Sequence, residues 1–161
     1  MAAYYIQALT GFAGIAATLL MARHLPDRVA THFSITGEPN AWSSNLSNTI
    51  FFCSIFLFMN LLFASIPWLI KKLPVSLINI PNRDYYLAPE RRGETIERVG
   101  KLMAFFAIGV NIFLFSVEYL SFRANLSAAA MSSTNLLILG GAFLIFLIGW
   151  IIRFVTAFRK P

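Results

Sequence analysis

The chain has 161 residues, of which 58% are hydrophobic and only 12% charged, with sixteen phenylalanines and three tryptophans. Soluble domains carry about 25% charged residues, so this composition excludes an ordinary water-soluble fold and fits lipid-facing surfaces with aromatic anchors. The net charge of +6 does not read as a nucleic-acid footprint, because the basic residues flank apolar runs instead of gathering on one surface. The single cysteine, Cys53, excludes an intrachain disulfide and lies in an apolar run, where it packs as a small hydrophobe.

Residues 4–22 form the first apolar run, nineteen residues without a charge. At 1.5 Å per residue it just spans a hydrocarbon core of ~30 Å. It lacks the basic leading segment of a signal peptide and is read as a transmembrane helix. Gly11, Gly14, Thr18 and Ala22 recur at helical spacing and give it a small-residue face for close packing.

The polar stretch 25–45 follows. Leu25-Pro26-Asp27 ends the helix, since proline disfavours helix in the residue before it. Val29, Thr31, Phe33 and Ile35 alternate with Arg28, Ala30, His32 and Ser34, the period of a short strand or extended segment. Thr36 to Asn40 is turn chemistry, with Gly37 able to take positive φ and Pro39 setting a bend. The serines and asparagines at 43–48 are candidate caps for the next helix.

The second span, 47–70, is stopped by Lys71-Lys72, carries Asn60 in its interior, and has Pro67 near its end as a kink point. Residues 73–88 read as a linker, with 75–80 extended at the membrane surface and Tyr85-Tyr86 as interface anchors. Pro89 suits a first helical position, and one long helix is expected from there to about Phe122. Its charged start holds two acid-first i,i+4 pairs, Glu94 with Arg98 and Glu97 with Lys101; 102–122 is the third span, interrupted by Asn111 and Glu118. Residues 121–133 read as a short loop, and 135–153 as the fourth span, with Gly140, Gly141 and Gly149 allowing close approach.

Basic residues set the orientation. Seven lie in 71–101 and three at the C-terminal end, against two near the first polar loop and one after Glu118. Ten against three is a positive-inside bias that places both termini in the cytoplasm and the 25–45 loop outside. The expected architecture is therefore an all-α, single-domain integral membrane protein with four transmembrane helices. An extracytoplasmic cap is expected at 25–45, and a long third helix extending into a cytoplasmic loop at 71–101.

The pattern carried by Leu25, Pro26, Asp27, Arg28, His32, Phe33, Gly37, Glu38, Pro39 and Trp42 resembles the signature of a bacterial membrane-domain family of unknown function, related to the N-terminal region of SdpI-type toxin-immunity membrane proteins. The stretch 78–92 also looks like the shorter members of that family. The chain departs from the pattern at Asn40-Ala41, where the family usually has Asp-Gly, and after Trp42, where a basic residue is common. It is also too short for the further membrane region of the larger SdpI-type proteins. The resemblance implies a multi-pass protein of the bacterial cytoplasmic membrane with a receptor or immunity-type role.

Candidate chemistry is sparse. His24, His32 and Glu38 make at best a partial metal set at no standard spacing, and the reading adopted is that His32 and Glu38 hydrogen-bond the cap; no metal and no cofactor is expected. No nucleophile–base order or phosphate loop is present, so the protein is expected not to be an enzyme. Asp84, Tyr85 and the following basic residues read as a solvated charge run rather than a headgroup site. Glu118 is the one intramembrane carboxylate, a functional-site hypothesis by default. A structural pair near the outer interface with Arg23, Arg28 or Arg123 is preferred to a proton or ion role. Asn60 lies eleven residues before Lys71 and Asn111 ten after Lys101, so the two amides are expected at one depth, within reach of each other.

Three functions remain open. The first is a receptor, immunity or envelope-sensing protein that binds an extracytoplasmic peptide or signal through His32, Phe33, Glu38 and Trp42. The second is an accessory subunit that binds other membrane proteins through its aromatic faces. The third is a transporter component using Glu118 and the asparagines. In each the surroundings are the lipid bilayer, and no nucleic acid is involved.

Overall fold

The computed structural model describes residues 1–159; Lys160 and Pro161, part of the basic C-terminal end, lie outside the described residues. Its elements in chain order are α1 (Ala2–Ala22), β1 (Arg28–Phe33), β2 (Pro39–Ser44), α2 (Asn45–Lys72), a 3-10 turn (Val75–Leu77), the short α3 (Arg83–Tyr86), α4 (Arg92–Ser127) and α5 (Ser133–Ala157). Helix dominates, and α1, α2, α4 and α5 are each long and apolar enough to cross a membrane.

Each helix outruns its apolar core. Ser44 caps α2, its side-chain oxygen accepting from Ser47 N–H at 3.1 Å, and Ser132 caps α5 in the same way through Asn135 N–H at 3.2 Å. α2 runs on through Pro67, and its last carbonyls are met by Arg92, whose guanidinium donates to Ile70 O at 3.2 Å and Leu73 O at 3.0 Å. A cation at a helix C-terminus is also favoured by the helix dipole. α4 starts at Arg92 rather than Pro89, which sits in a turn ahead of the helix. It ends at Ser127, so the loop expected at 121–133 shrinks to a few residues after Ala128, whose φ of 49° closes the helix.

α1, α2 and α4 pack against one another in a three-helix core, and α5 lies outside it, packed mainly against α4. The small-residue face of α1 is the contact face: Gly11, Gly14 and Thr18 are buried. A Cβ on Gly14 would collide with the ring of the fully buried Phe56 of α2. The α4–α5 seam is aromatic, with Phe113 stacked on Phe143 at 4.2 Å between centroids and Trp150 Nε1 donating to Leu102 O at 3.0 Å.

At the basic end the linker is not an open loop. Ile78, Ile80, Tyr86, Leu87, Val99 and Phe158 form a buried cluster. Tyr86 is therefore a core residue and not the surface anchor expected of it; its hydroxyl donates to Arg159 O at 2.5 Å. Of the two expected ion pairs on α4, Glu97–Lys101 forms at 2.6 Å. Glu94–Arg98 does not form, because Arg98 turns to the C-terminus of α5 and donates to Ala157 O at 2.9 Å.

The polar stretch between α1 and α2 is a two-stranded antiparallel hairpin, an addition to the all-α expectation. Gly37 takes φ +88° at its tip, a value open to glycine. Its N–H donates to Ser34 O at 2.9 Å, and its carbonyl accepts from Met131 N–H in the α4–α5 turn at 2.8 Å. The base is tied by Asn45, whose side chain donates to Ala22 O at 2.8 Å and whose N–H donates to Asp27 O at 2.8 Å. The pairing register jumps between Ala30 and His32 and again between His32 and Phe33. These bulges break the regular pairing of β1 beyond Ala30, while the successive residues Val29 and Ala30 ahead of them are both buried.

Candidate functional site

Two polar clusters lie between α1, α2 and α4, both on one stripe of α4. Asn111, Glu118 and Asn125 recur every seven residues, and Ser121 joins them at helical spacing. The lower cluster is built on Asn111, which is buried. Its Nδ2 donates to Thr10 Oγ1 at 3.0 Å and to Asn60 Oδ1 at 3.3 Å, while Asn60 Nδ2 donates back to Asn111 Oδ1 at 3.2 Å. Gln7 completes it, donating to Asn60 O at 3.1 Å. Three helices are thus cross-linked by amides in a region where water cannot substitute.

The upper cluster holds Glu118, only 5% exposed, with Oε2 lacking a hydrogen-bond partner. The ion pair expected with Arg23, Arg28 or Arg123 is absent: among the described residues the ion pairs are Arg83–Asp84 and Glu97–Lys101. The reason is placement. Glu118 is buried in the seam, where it meets Thr18 of α1 and lines a small space shared with Thr49 of α2, while Arg23 and Arg28 stand exposed outside it. The Arg28 guanidinium lies over the Trp42 ring, 5.6 Å from its centroid, and Arg123 reaches Tyr119 Oη at 3.5 Å.

Asn125 fastens the hairpin to the bundle. Its Oδ1 accepts from Ala30 N–H at 2.7 Å and its Nδ2 donates to Ala30 O at 3.0 Å, so one side chain satisfies both backbone groups of a β1 residue. The residue falls in a stretch that reads as loop by composition; the signal that reveals it is the seven-residue spacing from Asn111 through Glu118.

Between the hairpin and the bundle lies a cleft of about 530 Å³. β1 contributes the consecutive residues Thr31, His32 and Phe33, α2 contributes Phe51 and Phe52, and Met131 closes one side. Of the four cap residues singled out in the sequence, His32 and Phe33 line this cleft, and Glu38 and Trp42 do not. Glu38 is exposed at the turn, and Trp42 is 49% exposed on β2, outside the cleft lining. His32 Nδ1 is 2.5 Å from Asn40 Oδ1 across the hairpin, which orients the ring. His24 stands exposed just beyond α1, ahead of the hairpin.

The length, hydropathy and packing of the four long helices give the chain the character of a multi-pass membrane protein. Residues 9–58, under half of the chain, match a sequence family described as a domain of unknown function, DUF1648. The matched segment takes in most of α1, the whole hairpin and the first half of α2. No curated protein and no solved structure matches the chain.

Proposed function

We propose that the protein is a non-enzymatic receptor of the bacterial cytoplasmic membrane, with both termini in the cytoplasm and the hairpin outside. In this reading it recognises a peptide or envelope signal at the hairpin, in the manner of an SdpI-like immunity or sensing protein. The observation that carries the reading is the cleft beneath the hairpin, floored by Phe51 and Phe52 of α2 and edged by His32 and by serine hydroxyls. Apolar concavities with a few placed polar groups are the usual form of a binding site. The positive-inside charge split supports the orientation. The test is a double substitution in the cleft, His32→Ala with Phe51→Ala. The receptor reading requires loss of protection or signalling in cells with the protein inserted at normal abundance, and full activity in that variant overturns it.

A second reading, an accessory subunit of a larger membrane complex, is supported by α5. None of its residues is buried, and Gly140, Gly141 and Gly149 have open space where a Cβ would stand. Bulky substitution at Gly141 would then abolish co-purification of partner subunits in mild detergent and leave cleft-dependent activity unchanged.

A further inference from the structure

Glu118 is the most buried carboxylate of the described chain, and no basic group among the described residues pairs with it. Its Oε2 has no hydrogen-bond partner, and no Lys, Arg or His nitrogen lies within 4.0 Å of it among the described residues. It borders a small space of about 10 Å³, room for one water-sized body. The two threonine hydroxyls bordering this space each have a carbonyl partner on their own helix. Thr18 Oγ1 donates to Gly14 O at 3.0 Å, and Thr49 Oγ1 donates to Asn45 O at 2.9 Å. Ser121 Oγ accepts from Asn125 Nδ2 at 3.5 Å, and that amide also donates to Ser121 O and to Ala30 O, each at 3.0 Å. The Thr18 hydroxyl is also within hydrogen-bonding reach of the Glu118 carboxyl, and the oxygens of both threonines keep lone pairs for the space.

We propose that Glu118, with the hydroxyl oxygens of Thr18, Thr49 and Ser121, holds one small desolvated monovalent cation of the sodium class. Three properties of the chamber select it. Oxygen donors alone suit a hard cation. The volume admits one ion without a hydration shell. The single carboxylate neutralises one positive charge, whereas a divalent ion would leave a net charge in a low-dielectric seam, at high cost. The structure also provides a way in. Asn48, Phe52 and Ser121 border both the chamber and the cleft under the hairpin, so an ion enters from the cleft past the Phe52 ring. The site stands apart from the receptor reading, since the ion is held by α1, α2 and α4 whatever the cleft recognises.

The test uses the full chain purified in mild detergent, unfolded thermally in sodium chloride and in choline chloride at equal ionic strength. Sodium at tenfold excess over its dissociation constant should raise the midpoint by about 4 °C relative to choline. The comparison is made within each variant, so a changed baseline stability cancels. Glu118→Gln should abolish the sodium-specific shift, and Thr18→Val, which keeps the carboxylate, should raise the half-saturating sodium concentration about tenfold. Equal midpoints in sodium and choline for the unaltered chain overturn the proposal, as does a shift that Glu118→Gln retains. If Glu118→Gln does not fold, infrared spectroscopy decides: sodium must perturb a carboxylate band that Thr18→Val moves, and a protonated carboxyl band persisting in saturating sodium overturns the site.

Discussion

Asn60 and Asn111 exchange hydrogen bonds, each amide donating to the other's oxygen, at 3.2 and 3.3 Å. The pair joins α2 to α4, and Asn111 extends the link to Thr10 of α1. Reciprocal amides of this kind hold helices at one register, because sliding either by a turn breaks both bonds. Replacing both by leucine, singly and together, should give a coupling energy of about 0.6 kcal/mol in a double-mutant cycle measured by reversible unfolding in detergent micelles. Strict additivity would mean that the exchange adds nothing to stability.

Gly14 sets how closely α1 approaches α2. Its missing side chain is the space occupied by the ring of Phe56, which is fully buried. Gly14→Val should destabilise the protein by about 1–3 kcal/mol through overpacking, seen as a lower thermal midpoint. Phe56→Leu in the same chain should restore part of that loss. A Gly14→Val protein as stable as the original would show that the two helices are free to move apart.

The hairpin is held to the bundle by Asn125 and not by Glu118. Asn125→Leu removes both bonds to Ala30 and leaves two buried backbone groups unsatisfied, at roughly 1–3 kcal/mol each before relaxation. Hydrogen exchange at the Ala30 amide and proteolysis between residues 25 and 45 should both accelerate, with helical circular dichroism unchanged. Exchange at Ala30 that stays as slow as before would place the anchor elsewhere.

At the tip, Gly37→Ala meets two obstacles: a φ of +88° and the backbone of Met131 in the position of the new methyl. A left-handed backbone alone costs a non-glycine residue about 1–2 kcal/mol. The Met131 amide, which donates to Gly37 O, should lose exchange protection first. Protection at Met131 equal to that of the unaltered chain would show that the tip does not depend on this contact.

The four spans were legible because each is an uninterrupted apolar run of membrane length, and that signal needs no tertiary information. Counting residues from Lys71 and Lys101 was also enough to bring Asn60 and Asn111 to one level. Helix ends were harder. Ser121 to Ser127 is polar enough to read as loop, yet it continues α4, so Glu118 lies two turns and more inside the helix and not at its rim. That error in the helix end produced the error in the partner, since an arginine within reach was assumed. β2 was invisible to pattern, because proline, asparagine and serine are poor strand formers. It pairs because the Gly37 turn folds it back and because β1 is fixed to α4. The bulges that bring Thr31, His32 and Phe33 together in the cleft leave no mark in the sequence.

A two-stranded sheet has two outer edges, and here they are unequal. One edge, along β1, is closed at Ala30 by Asn125, which occupies both backbone groups as a third strand would. The other edge, along β2, is largely exposed, with Pro39 at one end unable to donate. An extended peptide that adds itself to this sheet through main-chain bonds therefore meets a blocked position at Ala30 on one side and an exposed strand on the β2 side. It would run antiparallel or parallel to Asn40–Ser44 next to the Trp42 ring. The asymmetry gives the hairpin a docking polarity that its small size would not otherwise impose.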